Sequence, residues 1–242
     1  MILSKSNIIS TSAITLNAGT LASGVMSNVQ DYDFAKIINS TSDTLRFTFA
    51  SVGIAQYVGL HGLSLPIGSV VTITATGFSK TYTTTNKTKN LVFYNETPST
   101  FGTLQIQIVG TGSKTISYIQ AGLATSISWG TNAGQSLHYL GNNITDRITS
   151  DSSGQPVNRI SEQQSPRLSL SMQNMSKEWA RTDLQELFLH YRADGIVSIL
   201  DYEKENKPQE SVAAFELTQK SPTTHSQTLS LVNVSLSFKV SV

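Results

Sequence analysis

The chain has 242 residues, 38% of them apolar and only 14% charged, with a formal net charge of +1. That length serves one or two domains with a real core, and the near-neutral balance leaves no electrostatic footprint for nucleic acid or a membrane surface. No cysteine is present, which excludes disulfides, thiolate metal sites and thiol catalysis.

The opening MILSKSNIIS has no continuous apolar h-region, and no run of apolar residues is long enough to span a bilayer. The sequence therefore predicts a soluble chain without a signal peptide. Next, DYDFAKI reads as a polar strand entry; its Asp31 and Asp33 form a DxD pair without further acids at calcium-loop spacing. Then strand follows strand. DTLRFTFASV sets Leu45, Phe47 and Phe49 on one face against Arg46 and Thr48. AQYVGLHGLSL follows, with Val58 and Leu60 inward and Tyr57 and His61 on the opposite, wetter face; its apolar register slips at Gly62 as at a β-bulge. SVVTITATG, NLVFYN, TLQIQIVG and KTISYIQAG continue the series. Period-two patterns broken every 8–12 residues by Gly, Ser, Asn or Pro predict an antiparallel β-sandwich or barrel.

Residues 130–166 are rich in Gly, Asn and Ser and lack sustained periodicity, so they are expected to form an arm between domains. The charge balance shifts across this segment. Residues 1–130 hold seven Lys/Arg and four Asp/Glu, whereas 131–242 hold ten and twelve. Beyond it, RLSLSMQ alternates as a strand. A helix is predicted within SKEWARTDLQELFLHYRADG, with Ala180, Leu184, Leu187, Phe188 and Tyr191 on one face. Ser176 or Thr182 caps its start and Gly195 closes it. GIVSILDY, AAFELTQ and VSLSFKVSV complete a β-α-β-β-β order.

In RLSLSM (167–172), DLQELFLHYRADG (183–195), VSILDY (197–202) and VSLSFKV (234–240), taken in this order, the last seventy-five or so residues resemble the ring-forming belt domain of bacteriophage distal-tail and minor-tail proteins. AQYVGLHGLSLPIGSVVTI resembles the strand–turn–strand of the small jelly-roll module at the front of phage virion proteins, with His61 where a small residue is commoner. The resemblance implies a mainly β fold: a jelly-roll β-sandwich over 1–128, an extended arm over 129–166 and an α+β belt domain over 167–242. It implies a structural virion protein, assembled in the host cytoplasm into a tail ring of three or six copies that meets tube, hub or fibre proteins. No cofactor, nucleic-acid partner or membrane insertion is expected.

Catalytic and metal-ligating patterns are not found. His61, His138, His190 and His225 are scattered at no metal-ligand spacing, and no nucleophile elbow, P-loop or dinucleotide fingerprint occurs. His190 lies one turn from both Glu186 and Asp194 and is expected to pair with them on an exposed helix face. The competing expectation is a carbohydrate-binding adhesin on the jelly-roll scaffold, with His61, Tyr82, Asn86, Tyr94 and Asn95 as candidate contacts to a host glycan or a protein partner.

Overall fold

The computed structural model describes residues 1–85, 88–127, 132–135, 144–150, 156–163, 167–200, 207–220, 224–225 and 231–241. In chain order the first strands are β1 (Ile2–Ser4), β2 (Ile14–Ala18), β3 (Ile38–Ser40), β4 (Thr44–His61) and β5 (Val70–Ala75). Then come β6 (Phe78–Thr83), β7 (Leu91–Val109), β8 (Lys114–Ile116), β9 (Tyr118–Gly122) and β10 (Ala124–Ser126). β11 (Asn132–Gln135), β12 (Ile144–Ser150), β13 (Pro156–Gln163) and β14 (Arg167–Ser176) lead to two helices, α1 (Lys177–Arg181) and α2 (Asp183–Asp194). β15 (Val197–Leu200), β16 (Ser211–Lys220), β17 (Thr224–His225) and β18 (Leu231–Ser241) close the chain.

The fold is mainly β, antiparallel throughout, as the alternating patterns predict. One sheet runs β2-β4-β7-β5-β6 and builds the sandwich. Leu45, Phe47 and Phe49 of β4 face Ile108, Ile106 and Leu104 of β7 in register, and all six are buried. β3 and β8 form a two-stranded ribbon that lays Ile38 and Ile116 on the same core.

Four predicted strands become two. β4 and β7 each run the length of two sequence patterns, because bulges between Ala50 and Gly53 and between Ala55 and Tyr57 let one strand bend instead of ending. Past those bulges β4 pairs with β9 as well as β7. No bulge lies at Gly62, where one was expected. β4 ends at His61, and Gly62 turns the chain with φ 61°, a left-handed conformation that suits glycine.

The second sheet runs β10-β1-β15-β16-β18-β14-β11. Its first two strands come from residues 2–4 and 124–126, so a boundary at residue 128 does not separate the sheets. The N-terminal strand instead lies between β10 and β15, in register Ile2–Ser126 and Ile2–Leu200. The β-α-β-β-β order of the C-terminal part is present, with the two-residue β17 added beside β18.

The helical stretch is two helices. Ser176 caps the first, its side chain accepting the Trp179 N–H, a contact that stabilises by about 1 kcal/mol. Thr182 separates them without capping through its side chain, and Gly195 at φ 69° closes the second. Leu184 and Leu187 sink into the C-terminal core beside Val197 and Ile199, with Ala180, Phe188 and Tyr191 packed at its margin.

The segment expected to lack elements contains a hairpin. β12 and β13 pair from Ile144–Gln163 to Ser150–Pro156 and, among the described residues, join no other strand. The DYDFAKI segment is turn rather than strand: Asp31 and Asp33 side chains accept the backbone N–H groups of Asp33 and Ala35, and Lys36 pairs with Asp31 at 2.5 Å.

Candidate functional site

β4 is buried on both faces from Tyr57 to His61. Val58 and Leu60 point into the sandwich core as expected. Tyr57 and His61, however, are 1% and 0% exposed, which corrects the wetter-face placement of His61. The reason is long-range: β15 lies across this face, and the covering residues stand far along the chain. Gly59 permits that approach, since a Cβ there would sit 2.8 Å from both His61 Nε2 and Ser198 Oγ.

A buried polar network fills this seam between the sandwich and the C-terminal domain. His61 Nε2 lies 2.7 Å from Ser198 Oγ, and His61 Nδ1 lies 3.2 Å from Asn90 Oδ1. Ser198 Oγ donates to Gln120 Oε1 at 2.7 Å, while Gln120 Nε2 donates to the Ile196 carbonyl and lies 3.2 Å from His190 Nε2. The Ser198 N–H donates to Ser4 Oγ, which lies 3.1 Å from His190 Nε2. His190 Nδ1 meets Asp194 Oδ2 at 2.8 Å. Because Gln120 presents an N–H to Nε2, the ring proton of His190 belongs on Nδ1, facing Asp194.

His190 is thus a buried side chain, correcting its expected place on an exposed helix face; the expected pairing with Asp194 is present. Ser4, His190 and Asp194 have the order of a nucleophile–base–carboxylate relay. Ser4, though, is 1% exposed and its oxygen already accepts a backbone N–H. In this closed arrangement the relay clamps β1 to α2 and β15.

Burial sets the electrostatics. It holds the His61 imidazole neutral, lowering its pKa from 6.5 to about 4 against a smaller opposing pull from Asn90. Burial likewise pushes the Tyr57 and Tyr118 phenols up, with the Asp194 carboxylate adding to the shift of Tyr118. Apolar residues flank the network: Ile2, Tyr57, Val92 and Leu200 on one side, Tyr118, Ile196 and Ala213 on the other.

The four described candidate contacts, His61, Tyr82, Tyr94 and Asn95, are not brought together in one site. His61 is enclosed and offers no surface. Tyr82 packs half-buried against the sandwich core, in register with Val71. Tyr94 lies against the apolar cluster of the seam, in register with Tyr57. Asn95 donates to the Gly77 carbonyl at 3.4 Å. Asn86 lies outside the described residues, as does His138. Ser198, Gln120, Asn90 and Ser4 escape a motif search; Ser198, in GIVSIL, carries the sequence signal of a polar residue set inside an apolar run.

The outer face of β4, β7, β5 and β6 has a different chemistry. One row across it is Arg46, Gln107, Thr72 and Thr81; the next is Thr48, Gln105, Thr74 and Ser79. Arg46 is the one charge in these rows, and its Nε is buried without a hydrogen-bond partner. Among the described residues, no three His, Asp or Glu side chains come together to hold a metal ion, and no helix is long and apolar enough to cross a membrane.

No protein-family model and no curated protein matches the chain. Among solved structures it is similar to the lectin domain of lectinolysin complexed with Lewis B antigen, at 9% identity over 49% of this chain and 97% of that one, with a TM-score of 0.39. It is also similar to SpX-3, a fucose-binding module of Streptococcus pneumoniae, at 9% identity over 51% and 99%, with a TM-score of 0.38. Likeness at that level fixes neither family nor function.

Proposed function

We propose that the chain is a structural assembly protein: its C-terminal sheet and hairpin join copies of the chain into a ring, and its sandwich is carried as the contact module. The observation that supports this most is the hairpin β12–β13, which pairs with no other described strand. A two-stranded hairpin alone is marginal in water, so a second surface that accepts it is expected. Among the described residues β10 and β11 end the large sheet, and a strand at a sheet end offers unpaired backbone groups to a neighbour. A hairpin from one copy meeting another surface of the next is a head-to-tail contact, which closes into a ring. The ordered motifs of 167–242 suggest the tail of a bacteriophage particle as the setting, with tube, hub or fibre proteins as partners.

The test replaces residues 144–163 by a short Gly/Ser linker and compares sedimentation with the intact chain. The intact chain is expected to sediment as a multimer of three or six copies and the replaced chain as a monomer. Equal sedimentation of the two would contradict the hairpin's role.

Glycan recognition by the sandwich is a second proposal, favoured by its outer sheet face. Hydroxyl and amide side chains in two rows, with the Arg46 guanidinium as the one charge among them, suit a polyhydroxylated ligand that carries a carboxylate or phosphate. It rests on those residues rather than on the sugars bound by the structures compared above. A glycan array probed with the wild-type chain and with Arg46→Ala separates the two proposals.

A further inference from the structure

Two separately cored halves meet at a seam whose centre is polar and whose single imidazole on the sandwich side meets no counter-charge among the described residues. The sandwich core and the C-terminal core are distinct clusters. Between them run the His61–Ser198 and Gln120–Ser198 contacts, the Asn90 amide donating to the Ser241 carbonyl, and the Val92 N–H donating to the Pro208 carbonyl at 2.9 Å. A second proton on His61 has an oxygen near each ring nitrogen, Asn90 Oδ1 and Ser198 Oγ, but among the described residues no carboxylate to offset its charge.

Among the described residues, the titratable groups around it are few. On β4 and β9 they are Tyr57 and Tyr118, the latter ring 6.3 Å from His61. On α2 they are His190 and Asp194, which reach His61 only through Gln120 and Ser198. β15 contributes Ser198, which does not titrate. At the rim Lys5 is neutralised by Asp183 and Glu186. A charge on His61 therefore stays uncompensated while the seam is closed, and opening would give it water.

We propose that the seam is an acid-sensitive joint: protonation of His61 releases β15 from β4 and β9 while both cores stay folded. The joint would set how the sandwich is held relative to the sheet that carries it. The sign follows from linkage. An opened seam takes up the proton at the ordinary imidazole pKa of 6.5, the closed seam only near 4, so acid between those values favours opening.

The reporter is the Val92 amide, whose bond crosses the seam. Hydrogen exchange of the full chain is measured at pH 7.5 and pH 5, corrected for the intrinsic rate. Val92 is expected to exchange about 10- to 30-fold faster at pH 5, with Ile106 and Leu236 in the two cores unchanged. In His61→Gln, which keeps polar contacts but cannot titrate, the difference between the two pH values is expected to vanish. Equal protection of Val92 at both values, simultaneous loss at Ile106 and Leu236, or a His61→Gln chain that keeps the difference each overturns the proposal. Should that variant not fold, the His61 ring is titrated by NMR in the wild type. A midpoint near 4 supports the joint, and a midpoint near 6.5 with Val92 still protected overturns it.

Discussion

His61 Nε2 and Ser198 Oγ lie 2.7 Å apart although 137 positions separate them in the chain. That contact puts a strand end of the sandwich against the middle of a strand in the second sheet. It makes the polar seam, rather than either core alone, the feature that fixes how the two halves sit. Ser198 bonds to His61 and Gln120 through its side chain and to Ser4 through its backbone, so it is the point at which three segments converge.

Ser198→Ala removes one hydroxyl and leaves His61 Nε2 and Gln120 Oε1 without that partner in a buried site. Stranding buried polar groups costs about 1–3 kcal/mol. Urea denaturation should show the unfolding free energy falling by that amount, as a lower midpoint with an unchanged slope. A midpoint equal to that of the wild type would mean that the hydroxyl does not hold the seam.

Gly59→Ala places a methyl 2.8 Å from both His61 Nε2 and Ser198 Oγ. Neither group can retreat without breaking the network, so overpacking of about 1–3 kcal/mol is expected. Gly102→Ala is the control, because nothing lies within 4 Å of a Cβ there. Thermal unfolding of both variants decides: a large drop for the first and none for the second is the expected pattern.

Much of the sandwich was legible because its strands bury one face. Leu45, Phe47 and Phe49 alternate with Arg46 and Thr48, and the structure places them in and out accordingly. Ser176 and Gly195 were legible for a similar reason: their signals are local. The second half of β4 was not. A strand buried on both faces by partners from distant sequence carries no alternation that marks its second face, so Tyr57 and His61 read as exposed. His190 was misplaced in the same way, since its cover comes from Ser4 and Gln120 rather than from its own helix. The hairpin β12–β13 escaped because its residues are mixed polar and apolar without a clean period.

Lys5 meets Asp183 at 3.0 Å and Glu186 at 2.9 Å, pinning the segment after β1 to α2. All three side chains are partly exposed, and solvent screens such contacts. Lys5→Ala should therefore cost less than about 1 kcal/mol, and the cost should shrink in 1 M salt, as chemical denaturation at two ionic strengths would reveal. A larger loss, insensitive to salt, would point to packing of the lysine stem instead.

Arg46→Ala leaves the sandwich core untouched, because Arg46 faces outward between Leu45 and Phe47, which face in. Stability should stay within about 0.5 kcal/mol of the wild type. If the outer face recognises an acidic glycan, array binding disappears in this variant; binding that persists would place the glycan elsewhere or remove the role of the guanidinium.

The central claim is assembly, and mass photometry of the intact chain at near-neutral pH tests it most directly. A dominant species of three or six copies, seen as rings by negative-stain imaging of the same sample, is the expected result. A monomer that stays monomeric as its concentration is raised would contradict it.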